Sequence, residues 1–450
     1  MHRTAPPPSP RAPSSLSAQV STLRNGVRVA SEGGHGETAT VGVFIDAGSR
    51  YEDEATSGTA HFLEHLTFKG TSKLSQYDLE VEFENMGGHL NAYTSREHTV
   101  YYAKVFKADV PRALNILADM LTAPKLEEAA IERERSVILR EMEEVNQQQE
   151  EVIFDLLHET AYQGSGLGRT ILGPEANIRA IGRRDLEAYI RTHYTGPRIV
   201  VAGAGAIEHG ELVRVAEAAF GALPAAPRDG LAVASAPAVF VGSELRQRDD
   251  DLGLAHVAVA VETGGWTNAH AFPLMVAQTI LGSWDRTMAG GSNMASPLCR
   301  KAAEGQLAHS LTTFNTTYKD TGLFGVYGVA EPTKVWDLMS ATMYEMVRLS
   351  YSPGAEEVER AKTQLATVLL SGLDGSTAVC EDIGRQMLTY GRRMGPAEIL
   401  ARIAAVDAAA VRAAARAFIN DKDVAVAGVG NVHELPDINW MRRRTAWLRY

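Results

Sequence analysis

The chain has 450 residues, of which 45% are hydrophobic and 22% charged, and 44 basic against 55 acidic residues give it a net charge of −11. This composition excludes a largely disordered chain, and an acidic balance without a dense basic stripe argues against a nucleic-acid partner. The two cysteines, Cys299 and Cys380, are too few for a disulfide framework, and no apolar run is long enough to cross a bilayer.

The N-terminal stretch is basic. The first 31 residues contain four arginines and no acidic residue, and residues 6–17 are rich in Pro, Ser and Ala. This composition is typical of a targeting presequence, although the prolines disfavour an amphipathic helix. We therefore expect residues 1–22 to be either the remnant of a presequence or a flexible basic arm, and the sequence leaves both open.

A repeated pattern of buried strands indicates an internal duplication. Residues 41–48 form a Val-rich run that ends in glycine, and residues 257–264 form a similar run 216 positions later. Each half closes with a second strand of Val, Ala and Gly, residues 200–205 and residues 425–430. The shared order and spacing predict two similar α+β halves.

The two halves are predicted to occupy residues 23–222 and 238–450. Between them, residues 223–237 form a linker rich in Pro, Ala and Gly that interrupts the periodic pattern. Helical patterns at residues 183–194 and 406–419 precede the two closing strands, so the halves agree in element order as well as in spacing.

The segment His61-Phe-Leu-Glu64-His65 carries the strongest chemical signal. Side chains at positions i and i+4 of a helix lie one turn apart on the same face, so both imidazoles can reach a single zinc ion. Glu64 lies on the same side and can act on a water molecule, as in the inverted form of the common zinc-protease motif. A surface helix that merely carries two histidines is the alternative, but the neighbouring Phe62 and Leu63 are not typical of such a helix.

A catalytic zinc needs a third protein ligand and an open position for water. Residues 126–159 show one long helical pattern rich in acidic residues, which can supply that ligand. Glu134 and Glu141 are seven positions apart and therefore share a face, and Ile131 and Ile138 place this helix against a core. Composition alone does not identify the carboxylate that binds the metal.

These segments resemble the pitrilysin-type inverted-zincin family of metallopeptidases. The similarity extends over residues 23–450 and is carried by five phrases, residues 60–71, 168–174, 314–323, 380–385 and 388–393. The resemblance implies zinc as cofactor, with His61, His65 and Glu141 as its ligands, Glu64 as general base and Glu134 as the carboxylate that orients the ligands. It also implies two homologous α/β-sandwich halves that form a clamshell around a central cavity.

Within this family, the chain is most similar to members that remove mitochondrial targeting presequences and to core subunits of respiratory complex III. The resemblance implies that Glu151 and Asp155 bind an arginine upstream of the cleaved bond, and their i, i+4 spacing lets both carboxylates hold one guanidinium. Phe68 matches a residue that contacts the apolar side chain after the cleaved bond, and Asn91 and Ala92 match a strand beside the active site. Plain surface acids and an ordinary core phenylalanine are the alternatives for these positions.

The strand with Asn91 and Ala92 belongs to a predicted hairpin over residues 89–104. An exposed strand edge there would bind an extended substrate by strand addition. The basic charge of presequences also complements the acidic net charge of this chain.

The resemblance further implies an α-type processing-peptidase or core 2 subunit and other complex III subunits as partners, basic presequence peptides as substrates, and a location on the matrix side of the mitochondrial inner membrane. The second half lacks a His-x-x-Glu-His motif, and the 216-residue offset places Ala277, Ile280 and Leu281 at the motif positions. A catalytically silent structural subunit of complex III and a stand-alone bacterial-type peptidase are the alternatives. The intact motif residues favour retained catalysis, and the basic N-terminus argues against a stand-alone peptidase.

Overall fold

Two six-stranded sheets form the framework of the computed structural model, which describes residues 18–227, 232–233, 236–288 and 290–447. Most of the predicted N-terminal arm and part of the predicted linker therefore lie outside the described residues. The strands are β1 (Gln19–Thr22), β2 (Arg28–Gly33), β3 (Thr38–Ile45), β4 (His89–Thr94), β5 (Thr99–Phe106), β6 (Ile199–Gly205), β7 (Glu244–Arg248), β8 (Ala255–Gly264), β9 (Ser283–Asp285), β10 (Ser310–Thr317), β11 (Thr321–Ala330) and β12 (Val424–Gly430).

Helices connect and cover the strands in both halves. The α-helices are α1 (Thr59–Thr67), α2 (Gln76–Asn85), α3 (Val110–Thr122), α4 (Glu128–Val145), α5 (Gln149–Ala161), α6 (Glu175–Ala180), α7 (Arg183–His193), α8 (His209–Phe220), α9 (Ala271–Leu281), α10 (Pro297–Glu304), α11 (Val335–Arg348), α12 (Ala355–Ser371), α13 (Ser376–Thr389), α14 (Pro396–Ala404), α15 (Ala408–Phe418) and α16 (Ile438–Arg443). In the described part of the chain, no helix is both long and apolar enough to cross a membrane.

The two sheets share one topology. Their strand orders are β1-β2-β6-β3-β5-β4 and β7-β12-β8-β11-β10-β9. In the first sheet β6 lies between β2, with which it pairs in parallel, and β3, with which it pairs antiparallel. In the second sheet β12 lies in the same way between β7, its parallel partner, and β8, its antiparallel partner. The duplication and the α+β class are therefore confirmed, and the four repeated strands correspond to β3, β8, β6 and β12.

Each sheet is buried on both faces, which explains why its central strands read as continuous apolar runs rather than as alternating patterns. In β3, seven of the eight residues are buried. Helices of the same half cover one face, and a helix from the other half covers the opposite face. α13 of the second half packs on the first sheet, and α5 of the first half packs on the second sheet. The halves are thus joined by two reciprocal helix–sheet contacts.

The prediction of one long helix over residues 126–159 was wrong, because α4 ends at Val145 and α5 begins at Gln149. The backbone at Gln148, with ψ of 96°, is extended and interrupts the helix. The two helices belong to different cores, since α4 packs against α1 while α5 crosses to the second sheet. The sequence pattern is continuous because both helices are amphipathic and acidic on their exposed faces.

The predicted hairpin is confirmed as β4 and β5. The strands pair antiparallel from His89 opposite Lys104 to Thr94 opposite Thr99, and β4 forms the outer edge of the first sheet. The helical patterns before the closing strands are confirmed as α7 and α15.

Candidate metal centre and active site

The helix that carries the motif, α1, begins at a sharp turn. Gly58 precedes the helix with φ of 99°, a conformation that strongly favours glycine. The carboxylate of Glu52 accepts hydrogen bonds from the backbone N–H groups of Gly58 and Ala60, at 2.9 and 2.7 Å, and thus caps the helix. Burial raises the pKa of Glu52 to about 7, despite these two donors. Phe62 and Leu63 are fully buried and fix the rotation of the helix.

This rotation directs both histidines toward α4. The Nε2 atom of His61 lies 3.6 Å from Oε1 of Glu141, and the Nε2 atom of His65 lies 3.2 Å from Oε2 of Glu141. One ligand atom from each of the three residues lies within 4.8 Å of the others. The structure therefore brings together the three predicted ligands from two distant segments.

The spacing of these atoms fits a zinc ion. Ligands at the usual Zn–N and Zn–O distances in a tetrahedron are about 3.3 Å apart, which agrees with the two His–Glu distances. The buried Oε2 atom of Glu141 makes no hydrogen bond in the described structure. A cation would satisfy this oxygen, and two imidazoles with one carboxylate are a typical donor set for catalytic zinc.

The charges at the site are strongly coupled. The facing imidazoles of His61 and His65 hold the pKa of Glu141 well below its usual range. Burial opposes protonation of His65, but the facing carboxylates of Glu141 and Glu134 outweigh it and raise the pKa of the imidazole. These three side chains therefore attract a positive charge to the space between them.

Glu134 lies where it can orient one ligand. Its Oε2 atom is 3.4 Å from Nδ1 of His65, and its Oε1 atom is 3.0 Å from Nζ of Lys69. Glu134 is buried, so Lys69 balances a carboxylate charge that water does not reach. A carboxylate on the far nitrogen of an imidazole fixes the tautomer in which Nε2 is free for a metal.

Glu64 is held by the edge strand of the sheet. Thr94, the last residue of β4, donates a hydrogen bond of 2.5 Å from Oγ1 to Oε2 of Glu64. Among the described residues the other carboxylate oxygen of Glu64 makes no hydrogen bond, and Glu64 lies one helical turn from His61. The predicted general base thus has a fixed orientation beside the three predicted metal ligands.

Three further residues predicted to contact substrate, Phe68, Asn91 and Ala92, are exposed or half-buried. Phe68 is the C-cap residue that follows α1, and it packs near Tyr101, with ring centroids 6.3 Å apart. Asn91 and Ala92 lie on the free edge of β4, where the side-chain oxygen of Asn91 accepts a hydrogen bond of 2.9 Å from the N–H of Ala92. Strand addition by a substrate at this edge must displace that internal hydrogen bond.

Glu151 and Asp155 differ in how accessible they are to the guanidinium of a substrate. Both lie on α5, and Glu151 is exposed. Asp155, however, accepts a hydrogen bond of 2.6 Å from Nη2 of Arg96, a residue of the turn between β4 and β5. An internal arginine therefore already occupies one of the two predicted arginine-binding carboxylates.

Sequence reasoning missed four residues that support the site, Glu52, Lys69, Thr94 and Arg96. Lys69 lies four positions after His65, and this spacing was a usable signal for a contact near the ligand. The other three reach the site from other segments of the chain, and no local pattern marks them.

The second half has the same arrangement of elements but carries no counterparts of His61, Glu64 and His65. Ala277, Ile280 and Leu281 lie on α9, which packs against α12 as α1 packs against α4. All three are buried in the apolar core of the second half. Within the described residues, the His61, His65 and Glu141 group is the cluster able to hold a metal ion.

Two family models match the chain. One, described as "Insulinase (Peptidase family M16)", matches residues 28–175, and the other, described as "Peptidase M16 inactive domain", matches residues 180–365. The first range contains all three predicted metal ligands, and the second contains the apolar positions on α9. This division agrees with the geometry of the two halves.

The chain is also similar to individual proteins over nearly its whole length. It is 54% identical to the mitochondrial-processing peptidase subunit beta of Bos taurus, over 96% of this chain and 88% of the relative. It is 52% identical to a probable subunit of the same kind from Arabidopsis thaliana, over 96% of this chain and 82% of the relative. Among solved structures, a chain of complex III2 from Candida albicans matches with a TM-score of 0.85 and 26% identity, over 95% of this chain and 100% of that chain.

Proposed function

The chain belongs to the insulinase family of metallopeptidases, peptidase family M16, and we propose that it is the zinc-dependent catalytic subunit of a mitochondrial processing peptidase. Its reaction is the removal of N-terminal targeting presequences by peptide-bond hydrolysis. The observation that carries this proposal is the convergence of His61, His65 and Glu141 within 4.8 Å, with Glu64 on the same helix face.

Each residue of the site has one task in this reaction. His61, His65 and Glu141 would hold the zinc ion, whose chemistry is Lewis acidity toward the scissile carbonyl and a water molecule. Glu64 accepts the proton of the attacking water and returns it to the leaving amine. Thr94 keeps Glu64 oriented, and Glu134 fixes the tautomer of His65.

Substrate recognition rests on charge and on the edge strand. The chain carries a net charge of −11, whereas presequences are basic. Glu151 is exposed and can take up an arginine directly, while Asp155 can do so only in exchange with Arg96. The free edge of β4 offers Asn91 and Ala92 to an extended peptide.

The proposed setting is the matrix side of the mitochondrial inner membrane. The proposed partners are an α-type processing-peptidase or core 2 subunit and further subunits of complex III. The similarity to the subunit from Bos taurus supports the first partner, and the similarity to a chain of complex III2 supports the second. The two roles are compatible, because the metal-binding residues occupy one half only.

The direct test of catalysis is the substitution Glu64→Gln. It should reduce cleavage of a synthetic presequence peptide by at least about 10³-fold, because the general base is lost, and leave zinc content and thermal unfolding unchanged. Zinc content is measured by mass spectrometry of the purified protein with its partner subunit.

Glu144→Gln is the matched control, since Glu144 is an exposed residue of α4 outside the ligand set. This control variant should cleave at the wild-type rate. Turnover by Glu64→Gln at that same rate would contradict the proposed mechanism.

A structural core subunit of complex III is the second candidate, favoured by the similarity to the Candida albicans chain. Native purification from mitochondrial membranes distinguishes the roles. Co-migration with cytochromes but no presequence cleavage in the same fraction would support the purely structural role. Cleavage in a fraction that holds an α-type partner, with or without cytochromes, supports the peptidase.

A further inference from the structure

A cluster of exposed aromatic and arginine side chains lies in the second half, on elements that contribute nothing to the metal centre. We name it the aromatic–arginine groove. It runs between α11 and α16 and encloses a cavity of about 710 Å³. Its walls include Ser340 and Tyr344 of α11 and Trp440, Arg443, Arg444 and Trp447 of α16 and the turn after it. Trp336, one turn before Ser340 on α11, packs against Trp440 beside the groove.

The exposure of the aromatic rings is unusual. Trp336 is 44% exposed, Tyr344 48% and Trp447 39%. Two of the five tryptophans in the chain, Trp440 and Trp447, line this groove, and a third, Trp336, packs against Trp440. Tryptophan, tyrosine and arginine are the residues most enriched at the energetic centres of protein–protein interfaces.

The rings are held in place by their neighbours. Trp336 and Trp440 have centroids 4.8 Å apart, and Trp447 stacks on Tyr351 at 4.5 Å with an angle of 6° between the planes. Arg444 lies over Trp440, with 4.7 Å from its guanidinium carbon to the ring centroid. An incoming partner would therefore meet a surface that is already ordered, which lowers the entropic cost of binding.

The charges of the groove specify the partner. Arg442 is neutralised by Asp421 and Asp423 at 2.9 and 2.6 Å. In contrast, neither Arg443 nor Arg444 has a carboxylate within 4.0 Å among the residues described by the structure. Two uncompensated guanidiniums beside exposed aromatic rings, in a chain of net charge −11, fit carboxylates combined with apolar side chains.

We propose that the aromatic–arginine groove docks an acidic segment, with apolar and carboxylate side chains, of another protein subunit. A concave groove of this volume accepts side chains of a folded or extended segment. A bilayer surface is a poorer fit, because α16 has only six residues and offers no continuous apolar face for insertion. The N-terminal arm of this chain is excluded by charge, since it is basic.

Photo-crosslinking of the full chain tests the proposal. Benzoylphenylalanine replaces Ser340, at the wall of the groove, and for comparison Arg184, an exposed residue of α7. The variants are expressed in the cells of origin, and intact mitochondrial membranes are irradiated. The expected result is one product specific to position 340, whose crosslinked peptide is rich in Asp and Glu.

Charge reversal completes the test. Arg443→Glu with Arg444→Glu should reduce the position-340 product at least tenfold, while Arg184→Glu with Arg191→Glu on α7 should leave it unchanged. Presequence cleavage should stay at the wild-type rate in both variants. The outcome for the groove therefore does not depend on whether the chain is a peptidase. Crosslinks to lipid, to a second copy of this chain or to a peptide without acidic residues would overturn it, as would a product that survives the reversal or no product beyond the comparison position.

Discussion

A single hydroxyl of the edge strand holds the proposed general base. Thr94 Oγ1 donates to Glu64 Oε2, and this contact joins the edge strand β4, proposed to bind substrate, to α1, proposed to bind the metal. We expect Thr94→Val to lower kcat of presequence cleavage by about 10- to 100-fold, the equivalent of about 1.5–3 kcal/mol for a hydrogen bond to a charged group. KM should be nearly unchanged, because Thr94 acts through Glu64 and not on the substrate.

Two further variants separate this role from a general loss of structure. Thr94→Ser keeps the hydroxyl and should retain most of the activity. Thr363→Val, at an exposed position of α12, removes a hydroxyl far from the site and should have no effect. A Thr94→Val enzyme in which only KM rises would show that the hydroxyl serves binding rather than Glu64.

Glu52 predicts a pH dependence of stability. Burial raises its pKa in the folded protein to about 7, whereas the unfolded value is 4.5. Between these values the folded chain binds more protons than the unfolded chain, so the free energy of unfolding falls as the pH rises from about 5 to 7. The slope from this one group is at most about 1.4 kcal/mol per pH unit.

Urea unfolding of the metal-free protein at pH 5, 6, 7 and 8 measures this slope. Glu52→Gln removes the ionisable group, so the difference in unfolding free energy between wild type and variant should shift in favour of the variant as the pH rises. A difference that is constant over this range would show that Glu52 is ionised throughout.

At the residue scale, the sequence could predict those placements that depend on local geometry. The i, i+4 spacing of His61 and His65 fixes their separation as soon as the helix forms, so the pair could be identified directly. Glu141 could be selected only through family resemblance, because many acids share its helical pattern. Arg96 could not be foreseen as the partner of Asp155, because their contact depends on how the hairpin turn meets α5.

At the scale of elements, dependence on contacts between distant segments also explains why the prediction of one long helix over residues 126–159 was wrong. The periodic pattern over residues 126–159 is real in both pieces, but the break at Gln148 follows from two helices joining different cores. Nothing in the pattern records that α5 leaves the first half for the second sheet. The hairpin and the closing strands were predictable because their partners are adjacent in sequence or repeated.

The contact between α13 and the first sheet is so close that replacing a helical glycine by alanine, which usually stabilises a protein, should destabilise this one. A Cβ atom added at Gly384 would lie 2.4 Å from ring atoms of Phe44, which is fully buried on β3. Glycine to alanine in a helix normally stabilises by about 1 kcal/mol. Here we expect Gly384→Ala to destabilise the protein by about 1–3 kcal/mol, because the ring has no room to move.

The second variant that tests this contact is Gly384→Ala combined with Phe44→Leu. The smaller side chain makes room for the added methyl group, so the double variant should be more stable than the sum of the two single effects. Urea denaturation followed by circular dichroism gives the three differences. An increase in stability for Gly384→Ala alone would mean that the helix is not seated on the ring.

At the scale of the whole molecule, the two halves share one sheet topology but differ in the candidate metal cluster, which lies in the first half alone among the described residues. Both halves carry the same strand order, yet the positions that correspond to His61, Glu64 and His65 hold the buried apolar residues Ala277, Ile280 and Leu281 in the second half. The reciprocal packing of α5 and α13 makes each half the cover of the other's sheet. The second half is therefore needed for the first half to bury the apolar surface of its sheet.

A buried ion-pair cluster joins the halves a second time. Arg50 of the first half contacts Glu97 at 2.6 Å and forms two bonds to Asp320 of the second half, and only 9% of its side chain is exposed. The backbone N–H of Lys319 also donates to Glu97 across the halves. Removing Arg50 leaves Glu97 as a buried carboxylate without its cation, which typically costs about 3–5 kcal/mol.

We expect Arg50→Met to lower the free energy of unfolding by about this amount without separating the halves, because α5 and α13 still bury apolar surface between them. All five tryptophans lie in the second half, so tryptophan fluorescence follows that half while circular dichroism follows both. The two urea transitions of the variant should shift together.

The exposed pair of Arg183 and Glu187 provides the control, and Arg183→Met should change the unfolding free energy by less than about 1 kcal/mol. A fluorescence transition that moves apart from the circular dichroism transition would show instead that Arg50 is the main connection between the halves.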